Sequence, residues 1–557
     1  MRTIIVIFLA LASLAAFNSC SKSLLDENPP HLIAGVNLFA DYEGFQAGLN
    51  GLYALVRSER EGLDGGTALV AQLFMNGTDN MTTNHTVSGF ATIAETWGST
   101  NNPAAAIYSD VFNWLYSIIN SANTIIDQAS NRTDVDWVGG NASPETNKLI
   151  VIAEARAVRA WAYRHLTYSW GDVPLSLHES VGNTIRTDWT RTPVAAVQEQ
   201  IVTDLSFAEQ HIPVEAVMPG RITKGAVQHY LSEMSLLRNK PDSAVYWADK
   251  AISNPAYKLI TNRYGVQANQ PGVAFMDMFI DGNINREQGN TEALWVFQFQ
   301  QFVNGGGTNQ IFRRDHHSRY VNIQVGGVSP FQITSERGGR GYGRMSLTKW
   351  AIDNYEAQDD RGSGFAIRKY FVLRTAAENA PVAADRLPAG YNYGDTFKLS
   401  WSNDITATSR SRTNWPFSRK ADWADPNDVG GSSTYNDAIY LRLGETYLLK
   451  AEAQLMAGDP GAAASTINIL RRRANASEVD AAAVNIDFIL DERSRELLLE
   501  EQRRYSLLRT GKWLERTRLH NKNGGQLIQD RDILFPIPQP VIDANLTGVM
   551  PQNKGFN

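Results

Sequence analysis

The sequence predicts a mainly α-helical protein, a scaffold of stacked helical hairpins that carries long irregular loops and a few short strands. Three observations carry this. Apolar residues recur every three or four positions through the first third of the chain. Two later segments run helix, Pro-containing turn, helix. The stretch between those two is crowded with Gly, Asn, Ser and aromatic residues, as loops are.

The amino terminus stands apart from this scaffold. Met1-Arg2 supplies a positive start, and residues 4–17 (IIVIFLALASLAAF) form an apolar run shorter than the ~20 residues that span a bilayer. That is the shape of a secretory signal. Cys20, the only cysteine in 557 residues, follows directly after Asn18-Ser19. A cysteine there resembles the lipobox of bacterial lipoproteins, although Phe17 and Asn18 depart from the residues usual in that box. A lone thiol has no disulfide partner within the chain, so lipidation is its simplest use, and two or more acyl chains would anchor the protein stably. An ordinary signal with an incidental cysteine is the alternative. The expected organisation is a signal over 1–19, a lipidated tether over 20–30 and one domain over 31–557.

Within that domain, AAAIYSDVFNWLYSIINSANTIIDQA places Ile107, Val111, Trp114, Leu115, Ile118, Ala122, Ile125 and Ile126 on one helix face. The next helix, in ETNKLIVIAEARAVRAWAYRHLTYSWGDVPL, is rich in alanine, so neighbours can approach closely. Gly171 ends it and Pro174 prevents continuation. Thr192-Pro193 predicts another helix start, a hydroxyl cap followed by proline in the first turn. The two hairpins are TKGAVQHYLSEMSLLRNKPDSAVYWADKAI, turning at Asn239-Lys240-Pro241, and YLRLGETYLLKAEAQLMAGDPGAAASTINILRRRA, turning at Gly458-Asp459-Pro460-Gly461. Each is TPR-like in layout and in its length of roughly 34 residues, and such units stack to bury faces that none buries alone. Helical parts are thus expected over about 104–255 and 434–520, with a loop-rich, ligand-binding insertion over about 261–433. Short strands are expected there at LWVFQF and FKLSW.

The chemistry-bearing residues point away from catalysis. ILDERSRELLLEEQRRYSLLRTGKW sets Glu492, Glu496 and Glu500 at helical spacing among Arg493, Arg495, Arg503 and Arg504. Paired carboxylates can be a glycosidase acid and base, but arginines this close predict a salt-bridge network. His316-His317 lacks the further ligands of a zinc site, and no nucleophile elbow, Walker loop or dinucleotide fingerprint is present. No catalytic residue, cofactor or metal is therefore expected. A net charge of −6 with no basic run argues against nucleic acid. What remains are aromatics beside amides and charges: Trp97, Trp415, Trp423, Tyr391, Tyr393 and Tyr320. Flat rings can cover the C–H face of a sugar while polar neighbours bond its hydroxyls. Packing within a loop is the commoner use of any single ring; ligand binding is the expectation for several together.

From end to end the sequence resembles the SusD/RagB family of outer-membrane lipoproteins from Bacteroidetes. The resemblance rests on CSKSLLDENP, EARAVRAWAYRHLTYSWGDVPL, GRITKGAVQHYLSEMSLL, NTEALWVFQF, YNDAIYLRLGETYLLKAEA, INILRRRAN, ILDERSRELLLEEQRRYSLLRTGK and ILFPIPQPVIDANLTGVMPQNKGF, in family order. Ser506 stands where the family commonly has Asp. The resemblance implies a TPR-like α superhelix and a surface protein that binds glycans without cleaving them. Such a protein delivers its ligand to a SusC-like TonB-dependent transporter in the outer membrane. It also suggests ligand contacts at Trp97 and Asn101, ahead of the helix over 107–129, with Asn80, and at Phe312, Arg313 and Tyr320 downstream of Glu292 and Trp295. A peptide-binding member of the same family, a lipid-anchored hydrolase and a TPR scaffold for protein partners are the alternatives.

Overall fold

The computed structural model describes residues 38–62, 70–85, 89–307, 310–426, 428–430 and 434–556. The signal, Cys20 and the tether lie outside them. No helix among the described residues is long and apolar enough to cross a membrane.

Helix α1 (Tyr42–Glu61) begins where the Asp41 side chain accepts from the Gly44 amide, and it buries Phe45, Leu49, Leu52 and Val56. Helix α2 (Ala106–Asn131) buries the whole expected face, Ile107 through Ile126 at spacings of three and four. Helix α3 (Pro144–Trp170) opens on a Ser143 cap with Pro144 in the first turn, where its missing N–H costs nothing. Gly171, at φ 72°, closes it. Over residues 151–170 every side chain of α3 except Arg156 is buried. Its small alanines let α2 and α4 (Val194–His211) pack on either side. Charges on a helix buried all round need partners. Arg159 forms a two-pronged bond to Asp204 of α4, both at 2.8 Å, and Arg164 clasps Glu233 at 2.5 and 2.8 Å.

The start of α4 corrects the expectation from Thr192-Pro193. The helix begins at Val194, one residue past the proline, with no side-chain cap from its own segment. Asp172 caps it from the end of α3 instead, accepting from the Val194 amide at 2.7 Å. A distant carboxylate supplies what the local hydroxyl was expected to give.

Both hairpins form where the sequence places them. α5 (Lys224–Leu237) and α6 (Pro241–Ile252) turn through Asn239, at φ 58°. α7 (Leu443–Met456) and α8 (Pro460–Arg473) turn through Gly458, at φ 85°, and Asp459 then caps α8 at the Ala462 amide. Helices α2 to α8 pack each on the next, and α6 lies directly against α7 although the loop-rich stretch separates them in sequence. α9 (Ile486–Leu497), α10 (Arg503–Arg509) and α11 (Trp513–His520) complete the scaffold.

The break between α9 and α10 is a second correction. Leu499 adopts φ 69°, so Glu500 leaves the helix face it was expected to share with Glu492 and Glu496. It turns instead toward Arg442 and Lys420, at 2.6 and 2.5 Å. The salt-bridge reading itself holds: Glu492 accepts from Arg361, Arg471 and Arg495, and Glu496 from Arg361, Arg442 and Arg473.

Among the described residues the strands are short: β1 (Met81–Thr83), β2 (Ala293–Phe297), β3 (Met345–Leu347), β4 (Ile367–Arg368), β5 (Tyr370–Val372), β6 (Thr396–Lys398), β7 (Phe417–Ser418) and β8 (Ala438–Arg442). They pair antiparallel, β1 with β3, β2 with β8, β4 with β7 and β5 with β6. β2 and β6 fall on LWVFQF and FKLSW. The β2–β8 pair sets Ala293 opposite Arg442 and so ties the two ends of the loop-rich stretch to the scaffold. Separate small cores hold that stretch together, one around Met81, Phe312, Met345 and Trp415 and another around Tyr320, Phe331, Phe371 and Phe417.

Buried ion pairs make stability acid-sensitive. Burial alone would raise the carboxyl pKa values of Asp79, Glu233 and Glu492, but their arginine partners win and hold each at about 2. Unfolded carboxyls titrate near ~4. Below that the unfolded state takes up more protons, so the contribution is full above roughly pH 5 and lost as pH falls toward 2. The melting midpoint should be level from neutral pH to roughly 5 and fall steeply below 4. A midpoint unchanged at the acid end of that range would count against these pairs.

Candidate functional site

The loop-rich stretch assembles one unusual constellation, and the backbone builds it. β1 pairs with β3, Met81 opposite Leu347, so the chain leaving β1 runs past Arg344. The amides of Asn84 and His85 both donate to the Arg344 carbonyl, at 2.7 and 3.1 Å. Asn84 then grips a third segment: its side-chain oxygen accepts from the Ser411 amide at 2.9 Å and its Nδ2 donates to the Ser411 carbonyl at 2.7 Å. On the other side, the amides of Tyr342, Gly343 and Arg344 donate to the carbonyls of Arg314, His317 and Asp315, at 2.7, 2.8 and 2.8 Å. The glycines of GGRGYGR make this approach possible. A Cβ on Gly341 would stand 2.3 Å from the carbonyl oxygens of His317 and Ser318, and one on Gly343, at φ 58°, would stand 2.5 Å from that of Arg412.

Four segments distant in sequence thereby bring Arg314, Arg319, Arg340, Arg344, Arg410 and Arg412 around Tyr342 and His85. The guanidinium carbons of Arg314 and Arg344 lie 4.1 and 4.4 Å from the Tyr342 ring centre. Arg412 donates through Nε and Nη2 to the Tyr342 carbonyl at 3.0 and 2.8 Å. Two carboxylates answer these cations: Asp315 pairs with Arg344 at 2.9 Å, and Glu95 with Arg410. Among the described residues no carboxylate pairs with Arg314, Arg319, Arg340 or Arg412. Buried N–H groups without an acceptor remain on Arg314 (Nη1), Arg319 (Nε) and Arg344 (Nε).

The crowding is visible in proton affinities. Partial burial, then the charges of Arg412, Arg344, Arg410 and Arg319, depress the His85 imidazolium. Burial, then Arg319 and Arg344, lowers Arg412. Asp315 is pushed up to about 6 by burial, against the pull of Arg344.

The residues expected to contact ligand are placed otherwise. Trp97 is 1% exposed, edge-on to Phe90 and Trp513. Asn101 donates to Asp532 and accepts from the Tyr108 hydroxyl, both at 2.6 Å. Asn80 accepts from Ser494 at 2.6 Å. Tyr320 is fully buried and stacks on Phe371, with ring centres 4.8 Å apart. Phe312 lies under the Arg60 guanidinium, and Arg313 donates to the Gly338 and Ala421 carbonyls and the Thr434 hydroxyl. The resemblance implied ligand contacts at these six positions, in two separate places; in this structure all six side chains are buried against other parts of the fold. Asn80, Trp97 and Asn101, which look solvent-facing in sequence, are held by the remote residues Ser494, Trp513 and Asp532. Phe312 and Arg313 line a narrow cleft of about 60 Å³ shared with Lys420 and Trp423. Trp415 is buried, Trp423 and Tyr391 are half-buried, and Tyr393 is exposed.

The arginine constellation escapes a sequence reading because its members are scattered. Two local signals stand in the sequence, however: Arg340 and Arg344 bracket Gly341-Tyr342-Gly343, and Arg410 and Arg412 stand in SRSR. Wider grooves lie elsewhere. One of about 770 Å³ runs between α2, Trp189 and the carboxy-terminal segment, and one of about 610 Å³ between α1 and Phe297–Gly306.

Two family models match this chain, one described as the SusD family over residues 291–556 and one as starch-binding associating with outer membrane over residues 58–236. The chain belongs to the SusD family. A SusD-like protein of Formosa agariphila is 24% identical over 100% of this chain and 99% of its own length. Among solved structures, a laminarin binding SusD-like protein matches with a TM-score of 0.66 and 20% identity, covering 92% of this chain and 99% of that one. Surface glycan-binding protein A of Bacteroides thetaiotaomicron, solved in complex with laminarihexaose, matches with a TM-score of 0.65 and 19% identity over the same shares. The helical-hairpin scaffold is thus the SusD fold. Where the chain departs from the family pattern at Ser506, the hydroxyl donates to Glu501 at 2.7 Å, a local exchange within the buried arginine–carboxylate network.

Proposed function

We propose that this SusD-family protein is a lipid-anchored, surface-exposed lipoprotein of the outer membrane. On this reading it binds oligosaccharides on its loop-rich face and delivers them, uncleaved, to a SusC-like TonB-dependent transporter. The reading rests on one observation: the whole described scaffold corresponds to solved SusD-fold proteins whose own names record glycan binding. Two further features support it. Cys20 offers a lipid attachment point, and the glutamates that could have served hydrolysis are held ionised between arginines.

The test is affinity electrophoresis of protein lacking residues 1–20 in gels cast with a panel of glycans. Retardation by at least one glycan, with no release of reducing ends, is the expected result. Mobility unchanged by every glycan would overturn the reading. Binding of peptide mixtures in its place would favour a peptide-binding member, the second reading. That reading draws on the arginine constellation and on the lack of a fully exposed tryptophan among the described residues.

A further inference from the structure

We propose that the arginine constellation around Tyr342 is an anion subsite, and that the ligand is an acidic oligosaccharide bearing carboxylate or sulfate groups. This rests on the glycan-binding reading above and narrows it to a substrate class.

Charge balance is the first argument. Six guanidiniums gather where two carboxylates answer them, and Arg319 and Arg340 make no side-chain hydrogen bond or ion pair among the described residues. Of the six only Arg314 is buried, while Arg340 and Arg410 are exposed and the others half-buried, and a surplus of one sign open to solvent attracts anions from outside.

Hydrogen bonding is the second. Arginine N–H groups are donors only. The ones an outside anion can reach are on Arg340 and Arg410, which are exposed, and on the half-buried Arg319 and Arg412. The unpartnered atoms of Arg314 (Nη1), Arg319 (Nε) and Arg344 (Nε) are themselves buried. Carboxylates and sulfate esters are acceptors only, and the planar fork of arginine matches either one with two parallel bonds. A neutral sugar hydroxyl would bring no negative charge to offset the surplus of cations.

Rigidity is the third. The arginines are not on a mobile fringe; their backbones are laced together through Asn84, Tyr342, Gly343 and Arg344, and Gly341 and Gly343 have no room for a side chain. Holding like charges together costs energy, and the fold meets that cost with backbone bonds. The Tyr342 ring is engaged by Arg314 and Arg344. It therefore orients the cations rather than offering a bare platform to a sugar face.

Dextran and dextran sulfate isolate the sulfate charge on one backbone, polygalacturonate supplies carboxylates without sulfate, and laminarin is the neutral comparison. Protein lacking residues 1–20 should be retarded at least tenfold more strongly by dextran sulfate or by polygalacturonate than by dextran or laminarin. Which of the two acidic polymers binds tells sulfate from carboxylate. Binding should weaken with added salt. The variant Arg319→Gln/Arg340→Gln should lose at least tenfold of the acidic-glycan affinity while melting at the same temperature as the parent. Neither side chain bonds within the described structure, so loss of fold is not expected to confound the result. Retardation by neutral glycans only, or acidic binding untouched by the double variant, overturns the subsite and leaves the glycan-binding reading standing. Binding of poly-glutamate with no glycan bound, or no binding at all, overturns both.

Discussion

Glu496→Ala is expected to destabilise the protein by ~3–5 kcal/mol, the cost of removing one partner from a buried ion pair and leaving the other uncompensated. Glu496 is fully buried. Its Oε1 accepts from Arg442 at 2.6 Å and from Arg473, and its Oε2 accepts from Arg361 at 3.0 Å. Burial alone would raise this carboxyl, yet Arg473, Arg442 and Arg361 hold it well below the ordinary range. Alanine would strand three guanidiniums in a dry interior. Two of them, Arg442 and Arg473, retain Glu292, at 2.7 and 3.0 Å, and Arg361 retains Asp359 and Glu492, both at 2.8 Å. The network should therefore weaken without dissolving. Low soluble yield, or a denaturant midpoint far below the parent's, is the expected result; an unchanged midpoint would falsify the assignment. Glu496→Gln keeps the shape but not the charge, and should fall between the two.

This network also explains why the loop-rich stretch stays attached to the helices. Arg361 and Lys420 come from that stretch, Glu292 from just before β2, Arg442 from the end of β8, Arg473 from α8 and Glu492 and Glu496 from α9. The β2–β8 ladder fixes the two ends of the stretch, and the ion pairs fasten its middle. A rigid base of this kind is what holds the arginines around Tyr342 in place.

The helices are legible in the sequence because their burial is periodic. α2 shows it most plainly, with apolar residues recurring at three and four from Ile107 to Ile126. The hairpin turns are legible because Asn239 and Gly458 carry the left-handed backbone that a turn needs. Other features depend on residues remote in sequence. The stop after Leu497 falls in LLLEEQRR, a run of good helix formers; the chain turns there at Leu499, φ 69°, and Glu500 meets Arg442 and Lys420, both remote in sequence. The cap of α4 comes from Asp172 across a turn. The arginine constellation is the extreme case, since its members become neighbours only through the β1–β3 pairing and the glycine-enforced contacts at 341 and 343. Residue type misleads most at the aromatics. TWGSTNN reads as a polar loop displaying a ring, but a loop that folds over a core turns its ring inward.

Trp97→Ala is accordingly expected to act on stability, with a loss of ~3–5 kcal/mol typical of a large aromatic removed from a core. The ring is boxed by Phe90, at 5.9 Å between ring centres, by Trp513, at 5.5 Å, and by the backbone at Gly77, where an added Cβ would lie 3.5 Å from Trp97 Cζ2. Trp513 in turn carries the Arg504 guanidinium 4.1 Å from its ring centre. A cavity at 97 would therefore loosen the contact between the short helix Phe90–Thr96 and the carboxy-terminal helices. The backbone adds to the constraint: Trp97 holds φ 45°, a conformation most side chains avoid, and it persists because the ring is locked by its neighbours. The Nε1–H has no acceptor, so Trp97→Phe gives up ring area without breaking a hydrogen bond and should cost clearly less than alanine. Melting midpoints ordered parent, Phe, Ala would match a packing role, with glycan retardation retained by whatever fraction stays folded. The opposite pattern, a parent-like midpoint with retardation abolished, would mean that the ring reaches the ligand after all and that this loop opens to let it.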